Sequence, residues 1–187
     1  MPLSHIAPMN LKSPVPLAKQ SKEPGLIRFS IATADGEFGV GYSALGLESL
    51  FFPEQVAWIR LAPAPTASPT LMGWHEMTTC ALRSALTGEA VDRMPPLDLG
   101  IGTVFQKKVW ESLGKIPRGR TQTYGEIAAG LGSPGAARAV GAACGANPLP
   151  VLIPCHRVLA ARGELGGFSG GNEWKRKLLA RESSVLG

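Results

Sequence analysis

The sequence predicts an α+β fold, with a small three-stranded antiparallel sheet and a helix in the N-terminal half and a mainly helical C-terminal half. Three observations predict it. Three short stretches of strand character succeed one another between residues 26 and 52, separated by links too short for anything but hairpins. From Thr103 onward, apolar residues recur at helical spacing. Between the halves, Arg93-Met94-Pro95-Pro96-Leu97-Asp98 stops any helix, because proline has no amide hydrogen and restricts the residue before it.

The strands are expected at 26–34 (LIRFSIATA), 37–43 (EFGVGYS) and 46–52 (LGLESLF). Asp35-Gly36 joins the first two and Ala44-Leu45 the next pair. Pro53 ends the third strand, and Pro63, Pro65 and Pro69 mark a loop at 62–69. A helix over 70–88 follows, with Leu71, Trp74, Met77, Thr78, Ala81, Leu82 and Ala85 on one face and Gly88 where its C-terminus falls. Beyond the proline-rich break, Thr103 can cap a helix with Phe105, Val109, Trp110 and Leu113 on its apolar face. Pro117-Arg118-Gly119 breaks it. Tyr124 to Leu131 reads as a short helix ended by Gly132, and Ser133 as the cap of another that begins at Pro134. This second helix is rich in small residues, Ala136, Ala137, Ala139, Gly141, Ala142 and Ala143, with Arg138 its one long side chain. By spacing alone, the pair is equally a helix-turn-helix or an ordinary helical hairpin. Residues 174–182 form a last amphipathic helix with Trp174, Leu178 and Leu179 apolar. The expected organisation is a loose tail at 1–23, an N-terminal α/β domain at 24–96 and a C-terminal domain at 97–187.

Composition narrows the function. Hydrophobic residues make up 44% and charged residues 18% of the chain, the balance of a soluble globular protein. No apolar run reaches membrane-spanning length, and residues 1–23 carry no secretory-type hydrophobic core, so no membrane partner is expected. Cys80, Cys144 and Cys155 are odd in number and share no metal-ligand spacing. They point to a reducing, cytoplasmic compartment and to neither a disulfide framework nor a metal site. A structural zinc could draw on His5, His75 and Cys80, but no C-x-x-C or H-x-x-x-H pair exists. Residues 101–187 carry 12 Lys/Arg against 5 Asp/Glu, whereas residues 1–100 carry 7 against 9. That asymmetry suits a polyanion facing the C-terminal half, and equally a merely basic surface.

The richest motif is Ile153-Pro154-Cys155-His156-Arg157-Val158. A thiol becomes a strong nucleophile only as the thiolate, so it needs a base or positive surroundings. Here a candidate base and a cation follow it directly. A cysteine hydrolase would also use such a pair, although those enzymes usually draw the two residues from distant positions. Adjacent side chains on extended chain point to opposite faces, so His156 can act on Cys155 only across a tight turn or through a water.

The segments GTVFQKKVWESLGKIPRGRTQTYGEIA, ARAVGAACGANPLPVLIPCHRV and GELGGFSGGNEWKRKLLARE closely resemble the O6-alkylguanine-DNA alkyltransferases, also called methylated-DNA–protein-cysteine methyltransferases. The likeness spans Gly102 to Glu182. The N-terminal half resembles the family's ribonuclease-H-like domain in outline only. The resemblance implies a DNA repair enzyme that moves methyl or alkyl groups irreversibly from guanine O6, and from thymine O4, to Cys155. Each molecule acts once, as a monomer without cofactor, on double-stranded DNA approached from the minor groove, in the cytoplasm or on a nucleoid. It further implies that Glu182 orients His156, and that Asn147 ties the helix pair to the active-site backbone. Tyr124 would assist nucleotide eversion and protonate the leaving guanine. Arg138 would fill the gap in the duplex, on a helix whose small residues, Ala137 among them, lie close to DNA. Pro150, Val158, Phe168 and Ser169 match pocket positions; Phe168 stands where some members have tyrosine, so the hydroxyl is lost. Relatives that only bind alkylated DNA lack the acceptor cysteine, which this chain has.

Overall fold

The computed structural model describes residues 26–56 and 67–184; the tail at 1–23 and most of the loop at 62–69 lie outside the described residues. The first sheet contains β1 (Ile27–Thr33), β2 (Gly36–Tyr42) and β3 (Leu47–Phe51), antiparallel and in that order. Pairing runs from Ile27 opposite Tyr42 to Thr33 opposite Gly36, so the hairpin falls where expected but turns at Ala34-Asp35, one residue earlier, and Gly36 is the first residue of β2. Alternation along β2 points Phe38, Val40 and Tyr42 into the core, where they are almost completely buried.

Helix α1 (Pro69–Thr87) starts at a Ser68 cap and ends at Gly88, whose φ of 78° is left-handed. Pro69, expected in the loop, is the first helical residue, where its missing amide hydrogen costs nothing. The segment at 93–98 is no free connector. The Leu47 amide donates to the Pro96 carbonyl at 2.8 Å, and the Asp98 amide donates to the Leu47 carbonyl at 2.8 Å. Ser43 Oγ adds a 2.6 Å bond to Asp98 Oδ2. The start of β3's outer edge is thus paired at Leu47, which satisfies both of its outward backbone groups.

The second half contains α2 (Val104–Gly114), β4 (Gln122–Thr123), α3 (Tyr124–Gly130), α4 (Ala137–Gly145), β5 (Val158–Leu159) and α5 (Gly171–Ser184). Thr103 and Thr123 each close a capping box, with Gln106 and Glu126. β4 and β5 pair in parallel, Gln122 with Val158 and Thr123 with Leu159. Helix α4 corrects the expected start: it begins at Ala137, not Pro134. The Ala136 amide bonds back to the Ser133 carbonyl at 2.8 Å, so Ser133–Ala136 closes a separate turn around Pro134-Gly135. Ser133 therefore caps no helix, and Ala136 precedes α4 without a side-chain cap. α2 and α4 are locked by Trp110 Nε1, which donates to the Ala143 carbonyl at 2.8 Å.

One hydrophobic core runs through both halves. Trp174 of α5 packs on Phe38 and Phe52 of the N-terminal half, with ring centroids 5.4 and 5.1 Å away. Burying each such ring contributes about 2 kcal/mol. Arg181 of α5 grips Asp35 at the hairpin turn through two bonds of 2.6 and 2.9 Å, and Lys177 adds a third contact at 2.7 Å. The planar guanidinium matches the carboxylate and holds the Asp35 carboxyl at about 2, below its usual 3.8.

Candidate active site

Cys155, His156 and Arg157 form one short 3-10 turn. The approach is set by Pro154, whose φ of −79° and ψ of 62° bring the Cys155 amide to 2.8 Å from the Ile153 carbonyl. On such a turn, successive side chains diverge by about 120°. Cys155 therefore faces Asn147, while His156 faces α5.

Asn147 organises the thiol side. Its Nδ2 donates to the Ile153 carbonyl at 2.8 Å and to Cys155 Sγ at 3.1 Å, and its Oδ1 accepts from the Leu149 amide at 3.0 Å. One buried amide side chain thus ties the end of α4 to the nucleophile and to the backbone before it. Pro150 and Val151 lie in the same buried turn, and Val151 adopts a φ of 74°, uncommon for a β-branched residue.

His156, 2% exposed, holds Glu182 Oε1 through Nε2 at 2.8 Å. Its Nδ1 is buried without a partner among the described residues. Glu182 is shared. Arg157 reaches it through Nε at 3.1 Å and Nη2 at 2.8 Å, and the Gly119 amide donates at 3.2 Å. Arg157 Nη1 is fixed in turn on the Ile116 carbonyl at 2.7 Å. Burial opposes the charge on Glu182, but bonds from His156 and Arg157 outweigh it and hold the carboxyl at about 2. Burial pushes the His156 imidazole below its ordinary value, with Glu182 pulling the other way.

Sequence reasoning missed Lys175. It is 0% exposed and donates to the Val158 carbonyl at 2.5 Å and to the Leu165 carbonyl. Its charge acts on both Cys155 and Cys144. Burial raises the Cys155 thiol to about 11, against the lowering pull of Asn147 and Lys175. A signal was available, since Trp174, Lys175, Leu178 and Glu182 share one helical face by their spacing. That spacing places the lysine among core residues.

Tyr124, half-buried at the start of α3, lies between α4 and the loop before α5. A Cβ on Gly141 would stand 3.8 Å from its ring, and one on Gly166 would stand 2.8 Å from its hydroxyl. Gly166 also has a φ of 65°, so both space and backbone call for glycine there. Burial raises the Tyr124 phenol above its usual value, and charge on Cys144 or Cys155 would raise it further.

Phe168 meets His156 edge-to-face at a centroid distance of 6.4 Å. Ser169 borders a groove of about 560 Å³ between α5 and the N-terminal half, lined by Asp35, Phe52, Glu54, Gly170 and Trp174 among others. Val158, fully buried, contributes its carbonyl to Lys175. Ala137 and Arg138 open α4 on the surface, with Arg138 exposed and outside the buried cluster. Among the described residues no group of His, Cys, Asp and Glu could hold a metal ion, and no helix is long and apolar enough to cross a membrane.

Residues 104–184 match the family model described as the DNA-binding domain of 6-O-methylguanine DNA methyltransferase. A methylated-DNA–protein-cysteine methyltransferase from Mycobacterium bovis is 50% identical over 138 residues, covering 74% of this chain and 77% of that protein. One from Salmonella typhimurium is 53% identical over 85 residues, covering 46% and 50%. Among solved structures, Mycobacterium tuberculosis OGT in complex with DNA superposes with a TM-score of 0.70 at 39% identity, covering 84% of this chain and 92% of that one. The O6-methylguanine-DNA methyltransferase of the archaeon Pyrococcus kodakaraensis gives 0.56 at 27% identity, covering 84% and 98%. The match over residues 104–184 and the relatives place the chain in the class of DNA methyltransferases that act through a protein cysteine. The chain is a member of the methylated-DNA–protein-cysteine methyltransferase family.

Proposed function

We propose that this protein repairs DNA by moving a methyl or small alkyl group from O6-alkylguanine, and from O4-alkylthymine, to Cys155. The observation that carries the reading is the buried His156–Glu182 pair on the turn that holds Cys155, whose one unpartnered ring nitrogen, Nδ1, is left for a proton. A water between thiol and Nδ1 relays the proton from sulfur to the imidazole. The ionised Glu182 then stabilises the imidazolium, and Lys175 stabilises the thiolate. Sulfur attacks the alkyl carbon in line, the S–C bond forms as the C–O6 bond breaks, and the electron pair leaves with guanine. Tyr124 gives a proton to guanine N3 and regains one from the imidazolium, so the thiol proton ends on the base. Neutral guanine is a better leaving group than its anion. The thioether does not hydrolyse, and each molecule acts once.

Reaching a base inside a duplex requires flipping it out, at a cost of a few kcal/mol. We assign this to α3 and α4, acting as a helix-turn-helix in the minor groove within a C-terminal domain at 97–187, the N-terminal domain being 24–96. The first turn of α4 has no capping side chain and no acidic residue, so its amides and Arg138 suit a phosphate or the gap left by the base. The small residues beside Arg138 allow close approach of Ala137 and the backbone. Pro150, Val158, Phe168 and Ser169 form the base pocket, and Asn147 holds its nucleophile. The protein works as a monomer without a cofactor, in the cytoplasm or on the nucleoid, wherever chromosomal DNA lies.

The test is mass spectrometry of the protein after incubation with an O6-methylguanine duplex. One methyl mass gain is expected on the Cys155 peptide, none on the Cys144 peptide, and none anywhere in Cys155→Ala. Folded protein that binds the duplex without any gain on Cys155 would reduce the function to lesion binding.

A further inference from the structure

The pocket residues Phe168 and Ser169 sit on a loop that is backed from behind by the N-terminal half. Phe52, 1% exposed, follows β3 and is pinned there: its amide donates to Gln55 Oε1 at 3.1 Å, while its carbonyl accepts from the Gln55 amide at 2.8 Å. Its ring meets Phe168 edge-to-face at 5.7 Å and packs on Trp174 at 5.1 Å. Phe168 in turn meets His156, so one aromatic ring stands between the N-terminal half and the imidazole. Contact at Gly170 is closer still. A Cβ there would lie 2.6 Å from Phe52 Cζ, inside van der Waals distance. Next to this contact lies the groove of about 560 Å³ bordered by Phe52, Ser169 and Gly170, which is space into which the loop could retreat if the ring were smaller.

We propose that Phe52 is a specificity-determining positioning residue: by backing the Phe168–Gly170 loop against His156, it limits the size of the alkyl group that Cys155 accepts. The inference rests on the alkyl-transfer reading above. Phe52 touches neither the alkyl group nor the thiol; it acts through Phe168 and the loop backbone. The two sides of the contact make opposite predictions. A smaller side chain at 52 lets the loop withdraw into the groove and enlarges the pocket, whereas a methyl group at 170 pushes the loop toward the reacting groups.

The experiment measures single-turnover rate constants with O6-methylguanine and O6-benzylguanine in matched duplexes, for the full chain and for Phe52→Leu, Gly170→Ala and the double variant, each checked for folding by circular dichroism. The benzyl-to-methyl ratio is expected to rise about tenfold in Phe52→Leu, the scale on which a hydrophobic pocket senses a missing carbon or two. It should fall by a similar factor in Gly170→Ala and return close to the wild-type ratio in the double variant. Ratios that stay at the wild-type value in the folded variants overturn the proposal, as does a double variant whose ratio equals that of Gly170→Ala. If Phe52→Leu does not fold, the Gly170→Ala ratio decides alone. A wild-type protein that transfers neither group removes the underlying reading instead, and that result is distinct because no ratio then exists.

Discussion

Replacing Glu182 by Gln removes a single charge that three groups share. Glu182 is 3% exposed, and the substitution leaves His156 without an anionic partner and Arg157 with a neutral one. The size of the effect follows from the carboxyl itself. It ionises at about 2 in the folded protein against an ordinary 4.5, and at about 1.4 kcal/mol for each pH unit this is about 3 kcal/mol. The cost of removing one partner from a buried ion pair, about 3–5 kcal/mol, has the same magnitude. A carboxyl whose folded value is depressed contributes stability that is fully present above 4.5 and lost as pH falls toward 2. His156 acts in the same direction at higher pH. Its folded value lies below 6.5, so the unfolded chain takes up that proton first, and stability falls as pH drops through 6.5. The assay is urea unfolding of wild type and Glu182→Gln from pH 7 down to pH 2. Glu182→Gln should be about 3 kcal/mol less stable at pH 7, and the gap should narrow below pH 4.5 as the wild type loses its advantage. A gap of constant size across that range would refute the argument, because the charge would then not be what Glu182 contributes.

The remaining predictions concern the thiol and the DNA face. Lys175→Met removes the buried cation whose charge lowers the Cys155 thiol. The pH profile of iodoacetamide labelling at Cys155 should move to higher pH and labelling at pH 8 should slow about tenfold, while an unchanged profile would reduce Lys175 to a structural anchor. Arg138→Ala should slow methyl transfer from duplex DNA about 10- to 100-fold, the scale of the unstacking cost. Transfer from free O6-benzylguanine base, which needs no flipping, should keep its wild-type rate; equal losses on both substrates would count against an eversion role.

Much of this could be read along the chain because it is local. The hairpin between the first two strands, the Thr103 cap and Gly88 at the end of α1 all follow from interactions within a few residues, where sterics and one or two hydrogen bonds decide the outcome. The start of α4 departs from the local pattern for a related reason. Ser133 before Pro134 is a good cap pattern, yet the turn closed by the Ala136 amide competes for the same residues and prevails. The break at 93–98 was legible as a break, but its docking on β3 was not, since Leu47 lies about 50 residues away and nothing in either segment marks the other.

The sequence by itself determined the α+β class, the IPCHRV motif and the family likeness, with Cys155, His156, Asn147, Glu182 and Tyr124 named as the residues to watch. Only the tertiary structure decided what surrounds them. It placed Lys175 in the core beside two thiols, made Glu182 common to His156 and Arg157, and set Phe52 behind Phe168. The physical reason is range. Turn and cap preferences are written in neighbouring residues, whereas the burial that raises the Cys155 thiol and the Asn147 hydrogen bond and Lys175 charge that pull it back depend on elements that meet only when the core closes.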